Sequence, residues 1–424
     1  ITRIIIMKTY RKIITIIYIG IIFTQKILIP MDLNQTDHLK AYGLAFWILE
    51  NNTNVDWILN YRGGAFMVDT NDKIIQECVI RGIYYEITNA QNLIDIYMAI
   101  EENNMDIVLL EKAPEIAVYS PPGKQPWDDA VTLALTYAEI NYDVIFDEEV
   151  LTDKLKKYDW LHLHHEDFTG QYGKFYKSYR NSSWYKKLEL DFNNTAQKFG
   201  FQSVHVLKKN VALKIKEYIV NGGFVFAMCS ATDSFDIALA SLNVDIVDQP
   251  YDDTPVDPDY NNKMNFNNSI AFENYQLYTN PMIYEYSTID IPPSHKPVTK
   301  SAEADYFTLF EFSAKWDPIP TMLTQNHVGV INGFMGQTTG FNRQFLKKHI
   351  IILGDVVNDP MVKYIHGNSG KGTFTFLGGH DPEDYRHFVG DPPTDLSLHK
   401  NSPGYRLILN NILFPAARKK ERKT

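Results

Sequence analysis

Two cysteines, Cys78 and Cys229, are all that 424 residues carry, which excludes a disulfide-built scaffold and leaves at most one bridge. Positive charge is scarce too. The net charge is -10, with acidic and basic residues interspersed, so the basic face of a nucleic-acid binder is missing. The basic tail over 416–424, ending "RKKERKT", reads as a solvated terminus. Long apolar runs are missing as well: the longest near the start, "IITIIYIGIIF", has 11 residues and is too short to span a bilayer comfortably. Preceded by "MKTYRK" from Met7 and followed by "TQK", it makes residues 7–25 a secretory leader, cleaved near residues 24–26. The alternative is an uncleaved anchor, and "ITRIII" before Met7 reads as upstream translated sequence. The expected location is therefore outside the cytoplasm, in the periplasm or cell envelope, with no stable membrane span after cleavage. "SGKGT" at 369–373 lacks phosphate-loop spacing and reads as a turn, and no solenoid repeat is present.

What is present is an alternation of short β-rich runs with helical periods. Residues 26–114 give an N-terminal α/β subdomain, running from "KILIPMD" to "DIVLLE" with a Gly-Gly turn between "VDWILNY" and "AFMVD". Pro114 and "SPPGKQP" punctuate a border. From 115 the rhythm repeats through "EIAVYS", "YDVIFD", "DWLHLHH" and "FVFAMCS", each followed by a helical pattern, which predicts a doubly wound parallel sheet. Residues 246–320, rich in Pro, Asp and Asn, break the pattern and read as a functional cover over the sheet. The chain then returns to the sheet, with strand "KGTFTFLGG" leading into "HDPEDYRHF".

The two cysteines read differently. Cys78 shares a helical face with Ile74, Ile75 and Val79 and is expected to be buried as a small hydrophobe. Cys229 stands where strand "FVFAM" runs directly into helix "SATDSFDIAL". Such a junction forces a strained turn that projects the side chain and demands small neighbours, here Ala227 and Ala231. It also sets the Ser230 amide beside the sulfur as an oxyanion donor at a helix start. A thiolate needs a base, and His380 is the best placed, with Asp381 and Glu383 just beyond it. The bland reading is a buried apolar cysteine in a tight corner.

Strand, elbow cysteine, long excursion and a later strand ending in His-x-Pro-Glu resemble the flavodoxin-like class I glutamine amidotransferase superfamily over residues 115–415. That resemblance implies Cys229 as nucleophile, His380 as base and Glu383 or Asp381 as its orienter. The sequence departs from the usual Gly-x-Cys-x-Gly elbow, reading Ala227-Met228-Cys229-Ser230-Ala231, and inserts Asp381 before Pro382. More closely, "KILIPMDLNQTDHLKAYG", "DWLHLHHEDFTGQYGKFY", "MCSATDSFDIAL" and "GKGTFTFLGGHDPEDY" are similar to exported Bacteroidetes-type proteins that go under the name asparagine synthetase B. The residues do not support that name as chemistry, because neither a Ser-Gly-Gly-x-Asp-Ser loop nor an N-terminal cysteine nucleophile is found.

The cluster "HLHHED" holds His162, His164, His165, Glu166 and Asp167 at a strand's carboxyl end. His162 is expected to pack between layers. His164, His165 and Glu166 are expected to line the pocket, with Ser230, and are the alternative metal ligands, although the spacing fits no established zinc signature. No cofactor is expected. Three functions follow: an exported hydrolase of amide or related acyl bonds, acting on a small-molecule, glycan or peptide substrate; a non-catalytic glycan- or protein-binding envelope protein; and a metal-dependent hydrolase using His164, His165 and Glu166, with His380 as a further candidate ligand.

Overall fold

The computed structural model describes residues 25–417, apart from 124, 292–302, 304, 318 and 323–327. The expected leader up to residue 24 and the tail from 418 lie outside the described residues. Among those described, no helix is long and apolar enough to cross a membrane.

Strands β1 (Lys26–Ile29), β2 (Val55–Leu59), β3 (Ala65–Asp69), β4 (Glu86–Thr88) and β5 (Asp106–Leu110) form one sheet in the order β4-β1-β3-β2-β5. Every pairing in it is antiparallel. The Gly-Gly turn explains the β2–β3 hairpin: Gly63 and Gly64 sit at φ 75° and 87°, where a side chain would be strained. A Cβ on Gly63 would lie 2.2 Å from the Met31 carbonyl oxygen. Helix Asp72–Arg81 carries Cys78 fully buried, and burial pushes its thiol up to about 12. Both cysteines are free thiols.

The second sheet begins at β6 (Ile116–Tyr119) and continues through β7 (Asp143–Ile145), β8 (Trp160–Leu163), β9 (Phe224–Met228), β10 (Tyr306–Leu309), β11 (Val330–Asn332), β12 (Phe341–Asn342), β13 (Ile351–Asp355), β14 (Met361–Ser369) and β15 (Gly372–Leu377). Its order is β11-β10-β13-β14-β15-β9-β8-β6-β7, with β12 paired to β14. The expected parallel sheet is half of it. β7, β6, β8, β9 and β15 are parallel, whereas β14, β13, β10 and β11 are antiparallel. The reversal comes from the tight turn Ser369–Gly372, which makes β14–β15 a hairpin. The architecture is thus mixed α/β.

Alternate residues of the parallel strands feed two cores. Val118, Trp160, Phe226 and Met228 pack with helices Ala130–Ala138 and Pro403–Leu413, while Tyr119, Leu161, Val225 and Ala227 pack with Val204–Val220 and Ser230–Ala240. The first core runs on into the N-terminal sheet. Helix His38–Glu50 contributes Leu39, Tyr42, Phe46 and Leu49 to it, and buried Arg406 donates to the carbonyls of Met31 and Gly63. The excursion up to residue 291 packs in the second core through Tyr251, Phe272, Tyr286 and Ile289, whereas 305–320, expected as part of the same cover, supplies sheet strand β10 and sends Phe307, Leu309 and Ala314 into the first core. Asp236 anchors the earlier part by accepting from the amides of Ile270, Ala271 and Phe272.

His366 on β14 is fully buried, shares a hydrogen bond of 2.8 Å with Thr375 Oγ1, and has its pKa lowered from 6.5 to about 3 by burial. Because the folded value lies below the unfolded one, the native state binds fewer protons between them. Its contribution is complete above about pH 6.5 and is lost as pH falls toward 3. Urea unfolding is expected to show about 2 kcal/mol of this loss by pH 5, and His366→Gln should remove that part of the acid slope. An unchanged slope in the variant refutes the assignment.

Candidate active site

Cys229 is the entire connection between β9 and helix Ser230–Ala240, and its backbone sits at φ 52°, ψ -137°. A non-glycine residue there costs about 1–3 kcal/mol, so the surroundings must hold it. They do so by packing and hydrogen bonds. Ala227 and Ala231 are fully buried, the Ala231 amide donates to the His164 carbonyl at 2.9 Å, and Thr232 Oγ1 donates to the Cys229 carbonyl at 2.7 Å. Ser230 opens the helix beside the sulfur, with its hydroxyl buried.

β15 lies parallel to β9, so its carboxyl end delivers Gly378, Gly379 and His380 next to the elbow. A ring nitrogen of His380 lies within 4.8 Å of Cys229 Sγ, and its Nε2 lies 3.1 Å from Asp128 Oδ1. Burial opposes charge on the ring, but the hydrogen bonds and charges of Asp128 and Cys229 prevail and push its pKa up to about 10. The converse holds for Asp128. Burial disfavours its charge, yet His380 and His387 hold the carboxyl below the usual range. His387 Nε2 also lies 3.1 Å from Asp128 Oδ1, and its Nδ1 lies 2.8 Å from Asp384 Oδ2.

Neither expected orienter holds the imidazole. Asp381 is buried, accepting from Tyr405 Oη at 2.7 Å and from the Glu383 amide at 2.8 Å. The turn it forms, bridged to Asp384, turns Glu383 toward His399, 3.0 Å away. Asp128, on the loop after β6, takes the place that the sequence assigned to them.

The histidines after β8 converge on the same point. His162 packs between the layers as expected, its Nδ1 3.1 Å from the Phe226 carbonyl and its Nε2 3.1 Å from Asp129 Oδ2. His164 and His165 stack at 3.8 Å between ring centroids and stand 5.1 and 4.5 Å from the His380 ring. Burial lowers the pKa of His164 to about 4 and that of His165 well below its usual value, so both rings are neutral at pH 7. Glu166 is not with them. Burial pushes its carboxyl up to about 8, and its opposing charge is Lys208, the ammonium that bonds Asp147 and Tyr119 beneath the sheet. Asp167 is spent within its own loop, accepting from Thr169 and the Gly173 amide.

A loop that sequence reading passed over covers the sulfur. In "GFMGQTTG", residues 333–340, the Gln337 amide donates to Cys229 Sγ at 3.3 Å, while its side-chain amide donates to the carbonyls of Gly173 and Tyr284. Thr338 Oγ1 donates to Asp233 Oδ1 and the Thr339 amide to Asp290 Oδ1. Burial, with Asp290 nearby, raises Asp233 well above the usual range. A Cβ on Gly336 would stand 3.1 Å from Cys229 Sγ, which is why the loop can lie so close. The small residues of the stretch were its only sequence signal. Cys229 and His380 are accordingly only 3% and 5% exposed.

Around this centre stands an aromatic rim. Trp127 lies 5.7 Å from the His165 ring and packs on Phe175 and Trp184, and Phe175 continues to Tyr179 and Tyr284. It joins the "YKSYRNSSWY" segment and the long excursion to the site. A separate cleft of about 1260 Å³ opens at the amino ends of β9 and β15, lined by Gly223, Phe224, Gly372 and Thr373, at the opposite edge of the sheet from Cys229.

No protein-family model matches the chain, and no curated protein matches it. Among solved structures, a cytoplasmic protein from Salmonella typhimurium is similar over 72% of this chain and 100% of its own, at 12% identity and a TM-score of 0.34. A second cytoplasmic protein, from Salmonella typhimurium LT2, gives the same coverage at 11% identity and a TM-score of 0.32. The GH42 β-galactosidase Gan42B from G. stearothermophilus is similar over 64% of this chain and 28% of its own, at 10% identity and a TM-score of 0.26. Likenesses this distant leave the chemistry of the site to its own residues.

Proposed function

We propose that the protein is a hydrolase of amide or related acyl bonds, with Cys229 as nucleophile, His380 as its proton shuttle and Asp128 as the group that orients His380. One observation carries the reading: a strained strand-to-helix cysteine whose sulfur lies within 4.8 Å of a nitrogen of an imidazole whose Nε2 is 3.1 Å from a carboxylate. The Cys229 thiolate attacks the acyl carbon, and the carbonyl π pair moves onto oxygen. The amides of Ser230 and Gln337 are the donors for that oxyanion. Collapse expels the amine, which takes its proton from His380, and leaves a thioester on Cys229. Water then attacks the thioester with His380 accepting its proton, releasing the acid and the thiolate. The loop over the sulfur must move for substrate to enter, and the aromatic rim supplies a stacking face for a sugar, peptide or small-molecule substituent.

The relationship to flavodoxin-like class I glutamine amidotransferases and export to the envelope belong to the same proposal. The parallel strands, numbered in chain order, run 2-1-3-4-5 across the sheet, the flavodoxin-like order, which supports it. Iodoacetamide on the folded protein at pH 7 tests the nucleophile. Cys229 is expected to be alkylated faster than Cys78, whose buried thiol is protonated, and Cys229→Ala should abolish hydrolysis of any amide or ester found to be cleaved. Equal labelling, with hydrolysis retained in Cys229→Ala, refutes the proposal in favour of a binding protein on the same scaffold.

A further inference from the structure

We infer that His164, His165, Cys229 and His380 form a binding site for a borderline-soft divalent metal ion, zinc above all. One ligand atom from each lies within 4.8 Å of every other, and the set is three imidazole nitrogens and a thiolate sulfur, the donors that zinc prefers. Ligand bonds of about 2.0–2.3 Å around a tetrahedral ion require the four atoms to draw closer by roughly 1 Å. Two of the imidazoles already have the outer partner that ligating histidines use to fix their orientation. His165 Nε2 lies 2.9 Å from the Asp128 carbonyl and His380 Nε2 lies 3.1 Å from the Asp128 carboxylate, while His164 Nδ1 stands 3.3 Å from Asp129 Oδ2 without hydrogen-bonding to it.

His164 points to a ligand independently. Its side chain is 2% exposed, and neither Nε2 nor Nδ1 has a hydrogen-bond partner among the described residues. A buried imidazole nitrogen left without a partner calls for an acceptor or an ion. Two carboxylates behind the rings, Asp128 and Asp129, balance the positive charge that a divalent ion and one thiolate leave over. Glu166, which the sequence grouped with these histidines, has no part in the site. Binding does not require Cys229 to be a nucleophile. Where it is one, the ion occupies the sulfur and holds the protein inactive until it is removed.

Cobalt(II) titration of the full chain, first stripped with chelator, tests the site, because a cobalt–thiolate bond gives a charge-transfer absorption that nitrogen ligands alone do not. One equivalent per chain is expected to develop that band, and Zn²⁺ to displace it. Cys229→Ser should remove the band, and His164→Ala should weaken binding by about 100-fold or more, with His164→Gln as the second variant should the alanine form not fold. His205→Ala, in a different histidine–carboxylate cluster with Asp245 and Asp252, should leave the band unchanged. Absence of the band, or an affinity unmoved in both His164 variants, overturns the site. Alkylation of Cys229 in the stripped protein reports on the nucleophile separately, so either idea can fail without the other.

Discussion

Replacing Asp128 by asparagine is expected to lower kcat/KM for acyl hydrolysis by about 10³- to 10⁴-fold while leaving the fold intact. The carboxylate accepts from His380 Nε2 at 3.1 Å and is one of the groups that keep the ring charged against its burial. An amide of the same shape offers a nitrogen as readily as an oxygen. It no longer favours the imidazolium and permits the wrong tautomer. Two readouts separate this role from simple destabilisation. The titration of His380, followed by NMR, should move down from about 10, and Cys229 alkylation at neutral pH should slow. Glu383→Gln, by contrast, is expected to retain near wild-type turnover, because Glu383 faces His399. A Glu383 variant more damaging than the Asp128 variant would return the orienting role to the later motif.

Gly43→Ala is expected to destabilise the protein by about 3 kcal/mol or more, although alanine is the better helix former by about 1 kcal/mol. The two terms are far from equal at this position. A Cβ on Gly43 would lie 1.7 Å from the Ala138 carbonyl oxygen and 2.7 Å from its carbon. Those are backbone atoms of a neighbouring helix, which cannot swing aside as a side-chain tip can. Helices His38–Glu50 and Ala130–Ala138 would have to part, opening the core that joins the two sheets. Urea unfolding should show the midpoint falling, and thermal unfolding should show the N-terminal sheet losing its cooperativity with the rest. A stability equal to or above wild type would mean that the seam yields freely.

The parts of this site that could be read from sequence are those that local pattern encodes. A β-rich run abutting a helical period, with alanines at the flanking positions, places Cys229 at the junction, and the strand before "GGHDPED" places His380 at a strand end. Alternation along β8 likewise assigns His162 to the space between layers. What could not be read depends on distant pairing. Whether β10, β13 and β14 run parallel or antiparallel is decided by partners far along the chain, not by their own residues. Asp128 was hidden by Asp129, because the pair looks like an ordinary helix cap, and Asp129 is one, accepting from the amides of Val131 and Thr132. The Gln337 amide carries no side-chain signature at all. Glu166 was misplaced because three residues past the strand end the alternation no longer says which side of the sheet a side chain takes.

The pairing of β9 with β15 also bears on when the chain becomes reactive during its synthesis. Cys229 leaves the ribosome long before Gly372–Leu377, and without that strand nothing sets His380 beside the sulfur. The loop whose amide covers the thiol is likewise made later than the cysteine. A growing chain therefore carries an ordinary thiol rather than an armed one. Its chemistry begins only when the last strand of the parallel half has been added.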